Sequence, residues 1–410
     1  MDGKLLLGGY FMISVGIDVS KGSSTVCLLK PCGEVLLSPF EVKHTRENLI
    51  ELVRVIKGYN EETKIVMEAT GHYHLPILFT LQEQGFFVSV VNPMLMKKYA
   101  SVSIRKIKTD KMDALKIAKF GLDYWMDLRA YSLEEDVYRE LKFLSRQYFQ
   151  LMSIRIKYKV TLSSLYDEIM PGINTILCSH SRDFTKDKVV DFVLYFKHYS
   201  NIIKLSQSAF LTKYEKWAKK EGYHFNPDKA KQLYNHAQNS ITTLCAQMAS
   251  TQMITKELSQ GIKTVNNSLN QILSRMQELA KSLPEYEIIR AMPGVGDNLA
   301  PRLIAEIGDV RRFHSAKALI AYAGIDTPPH QSGQFTAANR KISKRGSGYL
   351  RKVGYEMILC LKCAVPKTDT AVYDFIKKKE AQGKAKKQAM IAGLNKFLRI
   401  YYARVNEVTS

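Results

Sequence analysis

Four carboxylates carry the first chemistry this sequence suggests: Asp18 in GIDVS, Glu68 in MEATG, and Asp110 and Asp113 in KTDKMDA. The last two stand inside RKIKTDKMDALKIAK, residues 105–119, among six basic side chains. A separation of three residues puts both acids on one helical face. Carboxylates gathered at one place repel each other, and hard divalent cations such as Mg²⁺ or Mn²⁺ relieve that repulsion by taking the oxygens as ligands. Two such ions about 4 Å apart can activate an attacking oxygen and stabilise a leaving oxygen in phosphodiester chemistry. Each acid also has a simpler reading. Asp18 suits a turn at a strand end, and Asp110 with Asp113 suits a helix start worth about 1 kcal/mol. The metal reading gains only if the fold brings three separate segments together.

The elements around the acids allow this. ISVGIDVS, STVCLLK and EVLLSPFEV are short β-rich runs separated by Gly and Ser, which predicts an antiparallel meander. RENLIELVRVIKGY has the apolar spacing of a helix, KIVMEATG reads as a strand, and LPILFTLQEQG as a helix ending at glycine. FFVSVVNP is a buried-looking strand stopped by proline, with a helix to follow. Three hairpin strands, helix, strand, helix, strand, helix is the order of the ribonuclease-H-like α/β fold. In that fold the strands bearing Asp18 and Glu68 are neighbours. Tyr73, just after EATG, is an aromatic that could approach a nucleic acid.

Charge points to the substrate class. The chain carries a net charge of +21, and residues 331–410 hold 17 Lys and Arg against 5 Asp and Glu, so this last fifth supplies +12 of it. An excess so concentrated attracts polyanions, nucleic acid above all. No apolar run approaches the roughly 20 residues that span a bilayer, so no membrane partner is expected. The opening MDGKLLLGGYFMISVGID reads as a lead into the first strand, with Met12 a conceivable alternative start. The six scattered cysteines suit a reducing cytoplasm. The one C-x-x-C, Cys360 and Cys363, has no second ligand pair nearby and reads as helix packing.

The reading divides the chain into 1–125, 126–285 and 286–410. The middle is almost wholly helical. Leu258, Ile262, Val265, Leu269, Ile272, Met276, Leu279 and Leu283 alternate steps of four and three, a heptad seam that predicts a coiled coil, either a helical hairpin or a dimer contact. In the third segment PGVG precedes a helix, as in a helix-hairpin-helix that offers backbone N–H groups to phosphate. FHSAKALIAYAGI is a helix ended by glycine, and a polar loop follows it with Ser332 between Gln331 and Gly333. Arg340, Lys341, Lys344, Arg345 and Arg351 are the candidate phosphate contacts, and the tail reads as basic helices.

The set GIDVSK, EATG, NP and KTDKMDA, with PGVG, FHSAK, AYAG, QSG and ISKRGSGYLR further on, resembles the DEDD transposases of the IS110 family of insertion sequences. The resemblance implies a RuvC-like N-terminal domain, a mostly helical C-terminal transposase domain, and Asp18, Glu68, Asp110 and Asp113 as its metal-binding tetrad. It implies that Ser332 is a nucleophile forming a covalent link to DNA phosphate, in an active site assembled from both domains. From the residues alone Ser332 is a serine in a polar loop. The resemblance further implies recombination between element ends and target DNA, a structured noncoding guide RNA (the bridge RNA), and a homo-oligomer, dimer or tetramer. The alternative reading is a junction-resolving endonuclease that uses the four acids alone. A third is a nucleic-acid-binding scaffold without catalysis.

Overall fold

Side-chain alternation along the first strand decides which face of the N-terminal sheet becomes core and which becomes site. In the computed structural model, residues 12–69, 71–101, 109–131, 135–177, 183–327 and 341–409 are described, with backbone alone at 331–332 and 335–336. The chain divides into two compact units, Met1–Leu133 and Glu134–Ser410.

The first unit holds strands β1 (Met12–Val19), β2 (Ser23–Leu29) and β3 (Val35–Lys43), helix α1 (Arg46–Gly58), β4 (Glu62–Glu68), α2 (Leu75–Glu83), β5 (Phe87–Val91), α3 (Pro93–Ala100) and α4 (Asp110–Asp123). The sheet order is β3-β2-β1-β4-β5. β1 and β2 pair antiparallel, as do β2 and β3, while β1–β4 and β4–β5 are parallel. This is the ribonuclease-H-like order expected from sequence. One helix was expected after β5 and the structure has two; the signal for α3 is Asn92, whose side chain accepts from the Met94 N–H at 2.8 Å, followed by proline at the first helical position.

Ile13, Val15 and Ile17 pack with Leu49, Leu52, Val53 and Ile56 of α1 and Ile77, Leu78 and Leu81 of α2. With a side-chain period of two, Ser14, Gly16 and Asp18 therefore face the other way, toward α4. β4 behaves likewise: Ile65 and Met67 join the first core, whereas Val66 packs with Ile117 and Phe120 of α4. Glu68 shares the face of Val66.

Among the described residues, the second unit is helical apart from two short strands. It runs α5 (Asp136–Ile169), α6 (Ile173–Ile176), α7 (Lys188–Phe196), α8 (Tyr199–Ile203), α9 (Gln207–Glu221), α10 (Pro227–Asn239), α11 (Ala249–Lys281), α12 (Tyr286–Ala291), α13 (Gly296–Ile307), α14 (Ala316–Ala323), β6 (Gln331–Ser332), β7 (Phe335–Thr336), α15 (Gly348–Ala364), α16 (Ala371–Ala381) and α17 (Lys386–Thr409). α5 and α11 form an antiparallel hairpin within the chain: Arg155 Nε donates to Asn266 Oδ1 at 2.8 Å, and Arg275 pairs with Glu140 at 3.0 Å. The buried stripe of α11 includes Ser259, Ile262, Asn266, Leu269, Leu273, Met276 and Ala280. Half of the expected seam is thus displaced by one residue. Leu258, Val265, Ile272 and Leu279 are only half-buried, because the close approach of α5 takes the smaller or hydrogen-bonded residues beside them.

One end of the hairpin joins an aromatic core with Phe192, Phe210, Tyr214 and Trp217. The other joins a core that runs from Tyr138 and Leu141 to Phe397 and Tyr401. Residues on both sides of position 285 share that second core, so packing is continuous across the boundary expected there. Cys360 and Cys363, expected to be core packing, lie exposed on α15. Among the described residues no helix is long and apolar enough to cross a membrane.

Candidate active site

α4 is pressed onto the sheet by small residues. A Cβ on Gly16 would stand 2.2 Å from the Ala118 nitrogen and 2.3 Å from the Ala114 oxygen, and a Cβ on Gly121 would stand 2.2 Å from Ser14 Oγ. Ala118 therefore lies over Gly16 and Gly121 over Ser14, so α4 runs antiparallel to β1 and its first turn points to the C-terminal ends of β1 and β4. Thr109 caps that turn, its Oγ1 accepting from the Met112 N–H at 3.3 Å.

Ile17 pairs with Met67, so the next residues, Asp18 and Glu68, end adjacent parallel strands on the α4 face. Both are half-buried. Burial raises the Glu68 carboxyl above its ordinary value, and the Asp113 charge raises it further, so the two acids lie within electrostatic reach of one another. Lys116 holds Asp113 Oδ1 at 2.9 Å. Asp110 is the exposed first residue of α4, one turn before Asp113. The backbone thus brings Asp18, Glu68 and Asp113 to one edge, with Asp110 beside them. Among the described residues, no three His, Cys, Asp or Glu side chains close in far enough to hold an ion as they stand. The all-oxygen donor set and the acid pair Glu68–Asp113 fit a hard divalent cation in type and in backbone placement.

Sequence reasoning named the acids but missed the parts that hold them. Gly16 on β1 and the Ala114, Ala118, Gly121 stripe at helical spacing were the available signal for a close helix–sheet contact. Lys116 was not singled out. Tyr73 is half-buried, its ring packed against the first core with its centroid 4.5 Å from that of His72.

Ser332 lies in β6, paired with Phe335 of β7. Its side chain, together with Arg340, lies outside the described residues. The stretch after it docks along the end of α14: Ser343, Lys344 and Ser347 donate their N–H groups to the carbonyls of Asp326, Gly324 and Tyr322 at 2.9, 2.9 and 2.6 Å. A Cβ on Gly346 would stand 1.9 Å from the Tyr322 oxygen, so glycine is required there. This docking leaves Lys341, Lys344 and Arg345 exposed. Arg351 differs: its Nη1 donates to the carbonyls of Ala323 and Gly346 at 2.9 and 3.1 Å and ties the loop to the helix.

The PGVG turn also differs from the expected phosphate grip. A Cβ on Gly294 would stand 2.9 Å from the Leu361 backbone, so the tight turn serves packing on α15. It borders an open cavity of about 1200 Å³ whose charged lining is Asp183, Asp297, Glu356 and Arg302. Arg302 is engaged by Glu356 at 2.7 Å.

The sheet has ribonuclease-H order, with acids at the ends of its central strands. Family comparison agrees in both units. Residues 15–171 match the DEDD transposase profile of IS110 elements, and residues 286–373 match the profile described as the transposase IS116/IS110/IS902 family. The pilin gene-inverting protein of Moraxella lacunata is 22% identical over 396 residues, 96% of this chain and 95% of that protein. An uncharacterized 44.8 kDa protein of insertion element IS116 from Streptomyces clavuligerus is 20% identical over 395 residues, with 96% and 95% covered. Among solved structures, Thermus thermophilus RuvC aligns over 28% of this chain and 96% of its own, at 16% identity and a TM-score of 0.23. The chain belongs to the IS110/IS116 family of transposases and is a DNA recombinase by class.

Proposed function

We propose that this transposase cuts and exchanges DNA strands with Asp18, Glu68, Asp110 and Asp113 as ligands for Mg²⁺ or Mn²⁺ and Ser332 as the nucleophile. The observation that supports it most is geometric: the missing side chain of Gly16 lets α4 carry Asp113 to the strand ends that bear Asp18 and Glu68. A bound divalent ion would polarise the scissile phosphate and stabilise the leaving oxygen. The residues do the rest. Glu68 and Asp113 offer oxygens on one side of the edge, Lys116 fixes the Asp113 rotamer, and exposed Lys341, Lys344 and Arg345 meet flanking phosphates. In the covalent step the Ser332 oxygen bonds to phosphorus as the phosphorus–oxygen bond to the departing strand breaks. The serine proton passes to a base and the departing oxygen takes one up.

The Moraxella relative is by name an inverting protein, which suits conservative recombination of a DNA segment. A noncoding guide RNA and a homo-oligomer complete the proposal. Ser332→Ala tests the nucleophile. It abolishes protein–DNA adducts trapped by denaturing gel while metal binding stays intact, whereas wild-type adduct yield from that variant contradicts the serine role. Cleavage persisting in Ser332→Ala without any adduct would favour the four-acid endonuclease.

A further inference from the structure

The strongest charged feature outside the site and the 340–351 loop lies at the turn between α16 and α17, beyond both family matches, which end at 171 and 373. Residues 374–387 hold six lysines, Lys377, Lys378, Lys379, Lys384, Lys386 and Lys387, against two carboxylates, Asp374 and Glu380. The turn is rigid. The Lys384 N–H donates to the Lys379 carbonyl at 3.2 Å and the Gly383 N–H to Glu380 at 2.9 Å, while Gly383 adopts φ +80°, a Schellman ending that sends the chain straight into α17. Gly393 of α17 packs on Ile376 of α16, where a Cβ would stand 2.4 Å from Ile376 Cγ1, so the two helices are held side by side.

Among the described residues none of these lysines is in an ion pair, although Lys379 Nζ donates to Gln382 Oε1 at 2.9 Å. Glu380 is taken by Lys362 of α15 at 2.5 Å, which holds its carboxyl below the ordinary range. Lys377 and Lys379 lie over the rings of Tyr373 and Phe375 at 5.7 and 5.3 Å, which orients them without neutralising them. Residues 381–388, AQGKAKKQ, are all exposed and contain no large apolar side chain. A bilayer-binding segment needs such side chains to enter the acyl region. The first N–H groups of α17, a 24-residue helix, add positive dipole at the same point.

We infer that the α16–α17 tip is a nucleic-acid backbone clamp, a contact on duplex phosphates separate from the 340–351 loop. It rests on the reading of this chain as acting on nucleic acid. Phosphates on DNA and on a structured RNA present the same chemistry, so the test carries both.

Full-length protein with Lys384, Lys386 and Lys387 changed together to Gln is titrated, in EDTA, against a labelled DNA duplex and an RNA hairpin of equal length at 50–200 mM salt. The clamp predicts about tenfold or more weaker binding at the lower salt, and a log–log salt slope reduced by about 0.9 for each lysine that meets a phosphate, so by about 0.9 to 2.7 in all. The probe whose slope falls is the partner. The matching triple Arg variant keeps the wild-type slope. An unchanged slope on both probes overturns the clamp, as does weaker binding at unchanged slope or a loss confined to anionic lipid vesicles. Failure of the wild-type chain to bind either probe sinks the nucleic-acid reading and the clamp together. Binding that depends on the lysines in a chain that never cleaves leaves the clamp standing and sinks only the proposed chemistry.

Discussion

Glu68 and Glu306 are two acids that burial treats alike and neighbours treat oppositely. Both carboxyls are raised above their ordinary values, first by desolvation. Glu306, fully buried on α13, then receives the Ser145 hydroxyl at 2.8 Å and the Arg146 guanidinium at 3.0 Å, and these pull its value back down. Glu68 receives no such relief in its balance; the next contribution is the charge of Asp113, which pushes it higher. One acid is built into a satisfied network and serves stability. The other is held beside a like charge by a glycine contact, an arrangement that makes sense when a cation joins it. The sign of their neighbours, more than burial, sets these two acids apart.

That contrast breaks or sharpens on substitution. The largest effect is on activity. Glu68→Gln lowers metal-dependent strand cleavage by several kcal/mol of lost electrostatic stabilisation, about a thousandfold. Its thermal midpoint holds or rises because a repulsion has gone, and cleavage assays with differential scanning calorimetry read the two together. Gly16→Val comes next. The added carbons clash with the Ala114 and Ala118 backbone, so the first unit loses about 1–3 kcal/mol or more in denaturant melts and cleavage falls with it. Glu306→Ala costs about 1–3 kcal/mol, since the buried Ser145 hydroxyl loses its acceptor, yet cleavage per folded molecule is unchanged.

The smallest effect is on pH dependence. A carboxyl raised on folding binds its proton more tightly in the native state, so its contribution falls as pH climbs from the ordinary carboxylate range through the raised folded value. Glu306→Gln, uncharged and still an acceptor, removes that fall from the stability-versus-pH profile. A profile identical to wild type would show that Glu306 titrates normally in the folded chain.

The N-terminal unit was legible because its signals are local. Strand alternation, glycine punctuation and the EATG and KTDKMDA motifs give the order of elements, and that order alone places Asp18 beside Glu68. The α4 contact was written in Gly16 and in Ala114, Ala118 and Gly121, but a small-residue stripe states closeness without naming its partner. On α11 the apolar heptad pointed to the right helix and half of the right face. Asn266 won an inward place because Arg155 of α5 donates to it, and Gly261 lets Tyr158 of α5 come close, tertiary facts no period reports. Arg351 read as a free cation from composition; only the carbonyls of Ala323 and Gly346, 28 and 5 residues away, make it a tie for the loop.

The account stands or falls on divalent-ion binding by the full-length chain, followed by Mn²⁺ electron paramagnetic resonance without nucleic acid and again with uncleavable duplex. Wild-type protein is expected to take up Mn²⁺, and Glu68→Gln and Asp113→Asn each to weaken that uptake by about tenfold or more, the loss of about 1.4 kcal/mol or more from the site. Equal Mn²⁺ uptake by wild type and both variants, with and without duplex, would mean that the acids at the ends of β1 and β4 and on α4 do not form a metal site.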